Sequence, residues 1–147
     1  MKKPAHDHTS RGNDDCQARI LALQTELEDL RRREGSHRAL LEQSPAGIAV
    51  FRDDPLRLVY ANPAMAGLTG RTVEELLNPA AAGDALWVHM QDRAEFFRRL
   101  RDCSRETTGP CLFEFRLVRK EGPGGWLMGS FRAARVEGTP SVVAVLV

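Results

Sequence analysis

After a polar opening without periodicity, the chain becomes regular from Cys16, with Ile20, Leu23, Leu27 and Leu30 at alternating spacings of three and four. That is the a/d seam of a heptad, flanked by Glu26, Glu28, Asp29 and Arg31 to Arg33, and it predicts a helix over residues 16–43. The seam lapses after about two heptads, because Glu34 and His37 fall at the next core positions. Gly35 weakens a helix by ~1 kcal/mol relative to Ala, so a break is expected near Gly35-Ser36, with Ser36 capping a second segment to about Gln43. A narrow apolar stripe fits a homodimer through Ile20, Leu23, Leu27 and Leu30; a helix folded back onto its own domain is the other reading. Residues 1–15 are expected to be a flexible tail.

Residues 44–147 read as one domain in the order strand, strand, short helices, long helix and three strands. Asn62 can accept a hydrogen bond from a first-turn amide while Pro63 loses none at the first helical position, so a helix opens there. Gly67 and Gly70 let it stop. Thr72 and Glu75 have the spacing of a capping box, which starts a second short helix near Val73. Gln91 to Arg105 reads as the long helix, with Phe96, Phe97, Leu100 and Cys103 on one face. Phe113, Phe115 and Leu117 alternate with Glu114, Arg116 and Val118, as a strand with one buried face requires. Gly122 to Gly125 closes a hairpin, after which Leu127, Gly129 and Phe131, then Val142, Ala144 and Leu146, share the inner face. The fold class is α+β: a five-stranded antiparallel sheet with helices on one face, preceded by an N-terminal helix. If Val50 and Leu127 point inward, Phe51 and Trp126 point outward, and the segment from Ser36 to Gln43 is expected to cover them.

Five stretches in this order resemble the PAS family of signal-transduction domains: Tyr60-Ala61-Asn62-Pro63, Gly70 to Leu77, Val88 to Arg93 (with Met90 where the family has proline), Phe113 to Gly122, and Gly125 to Arg135. The final VVAVLV resembles the family's last strand. The resemblance implies a cytoplasmic sensory and dimerisation domain whose effector lies beyond Val147: a histidine kinase, a cyclic-dinucleotide enzyme or a transcription regulator. It also implies a cavity between sheet and helices. Its walls would be Ile48, Val50, Phe97, Leu100, Phe113, Phe115, Leu117, Leu127, Phe131 and Leu146, with Gly129 and Ala144 leaving room for a small apolar ligand. The competing reading is that phenylalanines fill that volume and the domain is a ligand-free relay. Flavin photochemistry of the LOV type is not expected, because the matching stretch Asn78 to Leu86 has no cysteine. Haem is not expected either, since His89, the nearest candidate ligand, sits where the family uses a histidine structurally.

Composition narrows the field further. A net charge of +1 over 147 residues, with bases interleaved among acids, gives no field for gathering nucleic acid. There is no apolar run of ~18 residues for a membrane span, and the opening residues lack the apolar core of a secretory signal. Cys16, Cys103 and Cys111 have no C-x-x-C spacing, which fits a reducing cytoplasm; the latter two read as small core residues, and Cys16 as an exposed thiol or a dimer crosslink. His6 and His8 around Asp7 could hold a metal weakly, but a polar tail is the simpler reading, and no metal site is expected. No nucleophile, base and orienting acid recur together, and no enzyme is expected. His89 with Asp92 as acid and base is the one catalytic alternative.

Overall fold

The computed structural model describes residues 8–52, 56–78, 85–105 and 109–147, and the chain divides into two compact units, Met1–Leu40 and Leu41–Val147. Helix α1 (His8–Gln43) runs unbroken for 36 residues and ends inside the second unit. Two expectations change here. Residues His8 to Asp15 belong to the helix instead of the tail, of which residues 1–7 lie outside the described residues. Nor does the helix break at Gly35: one glycine is a modest cost in a helix whose ladder continues on both sides. Ser36 does not cap a new segment, because its Oγ donates to the Arg32 carbonyl at 2.9 Å, a bond that a serine makes inside a helix.

The second unit contains strands β1 (Gly47–Arg52) and β2 (Arg57–Ala61), helices α2 (Pro63–Thr69), α3 (Val73–Leu77) and α4 (Arg93–Arg105), and strands β3 (Cys111–Leu117), β4 (Gly125–Val136) and β5 (Thr139–Leu146). All strand pairs are antiparallel in the order β2-β1-β5-β4-β3, so the first and last strands in sequence meet at the sheet's centre. Both short helices begin as expected. Asn62 accepts from the Met65 amide and Pro63 follows it, whereas Thr72 and Glu75 exchange both bonds of a capping box. α2 stops at Gly70, whose φ of 65° is left-handed backbone that glycine adopts without a Cβ clash.

The β3–β4 hairpin closes at Leu117 opposite Gly125. Gly124 is obligatory in that turn, since a Cβ there would lie 2.1 Å from the Leu117 carbonyl oxygen. Register fixes which side chains face the helices. Ala49, Phe51, Val142, Ala144 and Leu146 are opposite one another or two apart, and all are buried. Phe51 therefore points inward, and Ile48 and Val50 lie on the outer face opposite Val145 and Val143. The expected parity of β1 was off by one residue. Trp126 does face outward and is 68% exposed, with the Arg116 guanidinium 5.9 Å from its ring centre.

Candidate functional site

The space between sheet and helices is built around Phe96. One and two turns of α4 on, at i+4 and i+7, Leu100 and Cys103 extend the same buried stripe, and the opposite face carries Arg98, Arg101 and Asp102. The Phe96 ring meets Phe115 at 4.9 Å, Trp87 at 5.3 Å, Phe131 at 5.8 Å, Phe113 at 5.9 Å and Phe51 at 6.0 Å, each tilted edge to face. Phe113 and Phe131 stack at 4.3 Å with their planes 10° apart. Each such pair adds ~0.5 to 1.5 kcal/mol beyond the area it buries. The volume expected to be a ligand cavity is occupied by these rings. A cleft of about 160 Å³ beside β3, lined by Gln91, Asp92, Glu95, Arg99, Phe113 and Trp126, touches the cluster from outside. It is smaller than the ~300 to 1,000 Å³ usual for ligand pockets.

Of the expected wall residues, Leu100, Phe113, Phe115, Leu117, Leu127, Phe131, Ala144 and Leu146 are buried together on the inner side. Ile48 and Val50 are not among them, for the parity reason given above. Phe97 packs half-buried at the periphery, and Phe96 takes the central place expected of it. Gly129 leaves no room: a Cβ there would lie 2.2 Å from the Phe131 ring, which already covers it. The sequence reading missed Phe51, Trp87 and Val88 as core residues, although the size of Phe51 was an available signal.

Residues 87–89 run along the outer edge of β3. Val88 bridges Leu117, the Val118 amide donates to the Trp87 carbonyl and the His89 amide donates to the Arg116 carbonyl, both at 2.8 Å. The next residues turn into α4, with the Gln91 amide donating to His89 Nδ1 at 3.3 Å and the Phe96 amide to the Asp92 carbonyl at 2.8 Å. Asp92 is bound to Arg116 through the Arg116 amide, Nε and Nη2. Those bonds, side chain first and then backbone, hold its carboxyl at about 2, well below the ordinary 3.8. A carboxylate so occupied is a poor proton acceptor. His89 itself lines an open surface groove with Arg116, Val118, Gly124 and Trp126 rather than the ring cluster, so it does not offer a haem an inward ligand.

Asn62 is a junction. Fully buried, it accepts from the amides of Ile48 (2.8 Å) and Met65 (3.0 Å), and its Nδ2 donates to the carbonyls of Leu41 (2.9 Å) and Ala46 (3.0 Å). All four bonding positions of the amide are used. One side chain thus caps the start of α2, takes a carbonyl from the last turn of α1 and fixes the beginning of β1.

On α1, Ile20, Leu23, Leu27 and Leu30 are between 51% and 56% exposed. Cys103 is buried as expected, but Cys111 is only half-buried, and the two sulfurs are paired as a disulfide. The reading of both as small core residues holds for Cys103, while Cys111 packs at the edge of the core and is joined to it. In the stretch compared with the flavin-binding helix, residues 79–84 lie outside the described residues, as do His6 and Asp7. A buried flavin ring needs hydrogen-bonding partners along its edge. The described inner wall at Phe113, Phe115, Leu127, Phe131, Ala144 and Leu146 supplies apolar side chains, and such partners are not among these six.

A family model described as PAS domain matches residues 36–107. No curated protein matches the chain significantly. Among solved structures, the PAS domain of an HTR-like protein from Haloarcula marismortui superposes with a TM-score of 0.69 at 19% identity, over 84% of this chain and 98% of that one. A domain of a sensory box sensor histidine kinase/response regulator from Geobacter sulfurreducens gives 0.56 at 20% identity, over 80% and 95%. The Rhodobacter sphaeroides LOV protein gives 0.62 at 14% identity, over 80% and 66%. At these identities the likeness speaks to the fold.

Proposed function

Because the chain carries a PAS domain, a sensory module, we propose that it is the sensing and dimerising part of a longer cytoplasmic signalling protein. Two copies pair through α1, and a change in the ring cluster passes to an effector domain in the same protein as a change in dimer geometry. The likeness to a sensor histidine kinase/response regulator supports a kinase as that effector. A transcription regulator or a cyclic-dinucleotide enzyme would use the same relay. The domain itself carries no reaction on this reading. No described helix is long and apolar enough to cross a membrane.

The observation that carries the proposal is the α1 seam, four aliphatic side chains in heptad spacing, each half in water. Burying a leucine is worth ~1.5 to 3 kcal/mol before entropy is subtracted, so a seam of this kind favours a partner helix. The filled interior supports a conformational signal over a bound chromophore. Leu23→Glu combined with Leu27→Glu tests the seam: light scattering should give a folded monomer where the parent chain gives a dimer. A variant that stays dimeric moves the interface to the domain.

A further inference from the structure

The last turn of α4 and the first residue of β3 bring two cysteines together. Their Cα atoms are 6.2 Å apart, within the span that a disulfide bridges, and the sulfurs are paired. Both line a groove open to solvent with Arg98, Arg99, Asp102 and Leu112, so the pair can be reached from outside. Cys111 is half-buried and Cys103 lies beneath it. The fold does not depend on the bond to close, because Phe96 and Leu100 already seat α4 on the sheet. A reachable disulfide that adds to a complete core belongs with the labile, exchangeable kind rather than with the bonds that staple small domains.

We propose that Cys103 and Cys111 are a reversible thiol–disulfide pair, oxidised by a hydroperoxide, that fastens the end of α4 to β3. In the reduced protein the thiolate of Cys111, the less buried of the two residues, attacks one peroxide oxygen. The O–O bond breaks, hydroxide leaves and takes up a proton as water, and Cys111 becomes a sulfenic acid. The Cys103 sulfur then attacks the Cys111 sulfur. The S–S bond forms, the S–O bond breaks, and the departing hydroxide carries off the Cys103 proton as a second water. The two thiols have lost two electrons and two protons to hydrogen peroxide, and a dithiol reverses the change by exchange. Since α4 holds Phe96 at the centre of the ring cluster, fastening its end makes the oxidation state of this pair an input to the same cluster.

The full chain with Cys16→Ser, reduced and freed of reductant, is treated with a small excess of hydrogen peroxide. Both remaining thiols should disappear, the intact mass should fall by two hydrogens without linkage between chains, and dithiothreitol should restore both thiols without denaturant. Amide exchange over Leu100–Arg105 should slow in the oxidised form. Cys103→Ala on the same background should hold Cys111 as a sulfenic acid that dimedone traps. Thiols that survive peroxide at a level that oxidises free glutathione, a bond between chains, or a disulfide reducible only after unfolding would each overturn the proposal; so would amide exchange indifferent to oxidation. The Cys16→Ser protein alone decides the matter if the Cys103 variant fails to fold.

Discussion

Replacing Asn62 by alanine should be among the costliest single changes in the domain, out of proportion to the size of the side chain. The substitution removes four hydrogen bonds at once. Loss of the α2 cap costs ~1 kcal/mol. The Ile48 amide, which donates to the Asn62 oxygen, is left with a desolvation penalty of ~1 to 3 kcal/mol. The Leu41 and Ala46 carbonyls lose ~0.5 to 1.5 kcal/mol each at most, because carbonyls near a helix end regain some bonding from water. These terms sum to about 3 to 7 kcal/mol, against a total stability of ~5 to 15 kcal/mol for an ordinary domain. Asn62→Asp separates the two halves of the junction. Its carboxylate still accepts from Ile48 and Met65 but faces two carbonyl oxygens where a donor stood. Repulsion and burial raise the folded-state pKa of that new carboxyl, so the variant should gain stability as pH falls and the group protonates, opposite in sign to Asp92. Urea unfolding of both variants measures this, with the slope unchanged if the denatured state is unaffected. A loss below ~1 kcal/mol for the alanine variant would mean that water replaces the amide and that Asn62 is an ordinary cap.

Two further outcomes follow from packing and charge. Gly129→Ala should lower the urea midpoint, because the new Cβ meets the Phe131 ring at 2.2 Å and that ring is held by Phe113 and Phe96; overpacking of this kind costs ~1 to 3 kcal/mol, and an unchanged midpoint would show that the ring yields freely. Asp92, with its carboxyl lowered from 3.8 to about 2 by Arg116, contributes stability that is present above the higher value and lost as pH falls through the lower one. Arg116→Gln should return the Asp92 carboxyl toward 3.8 in an NMR titration and flatten that acid-side loss, and a titration unmoved by the substitution would assign the shift elsewhere.

What the sequence made legible was whatever local chemistry determines. The Asn62-Pro63 and Thr72–Glu75 starts, the Gly70 stop and the β3–β4 turn each depend on residues within four positions of one another, and each is found as read. The five-stranded antiparallel sheet was expected, but the order of its strands was not read from the sequence. What escaped depended on contacts between distant segments. Alternation along β1 was legible, but its phase is fixed by Ala144 and Val142 across the ladder, so Phe51 was placed on the wrong face. The Phe131 ring over Gly129 and the meeting of Cys103 with Cys111 arise only when α4 settles on the sheet. Gly35 misled for another reason: a propensity cost of ~1 kcal/mol ranks residues but does not end a helix.

Sheets that finish in an open strand offer a template on which other chains can polymerise. At the hairpin half of β3, that template is already used. Trp87 and His89 hold Val118 and Arg116, and Asp92 takes the Arg116 amide. A foreign strand could add along Arg116–Val118 only by first stripping those bonds. If the chain pairs through α1 as proposed, this cover would help keep association confined to that helix and out of fibrillar aggregates.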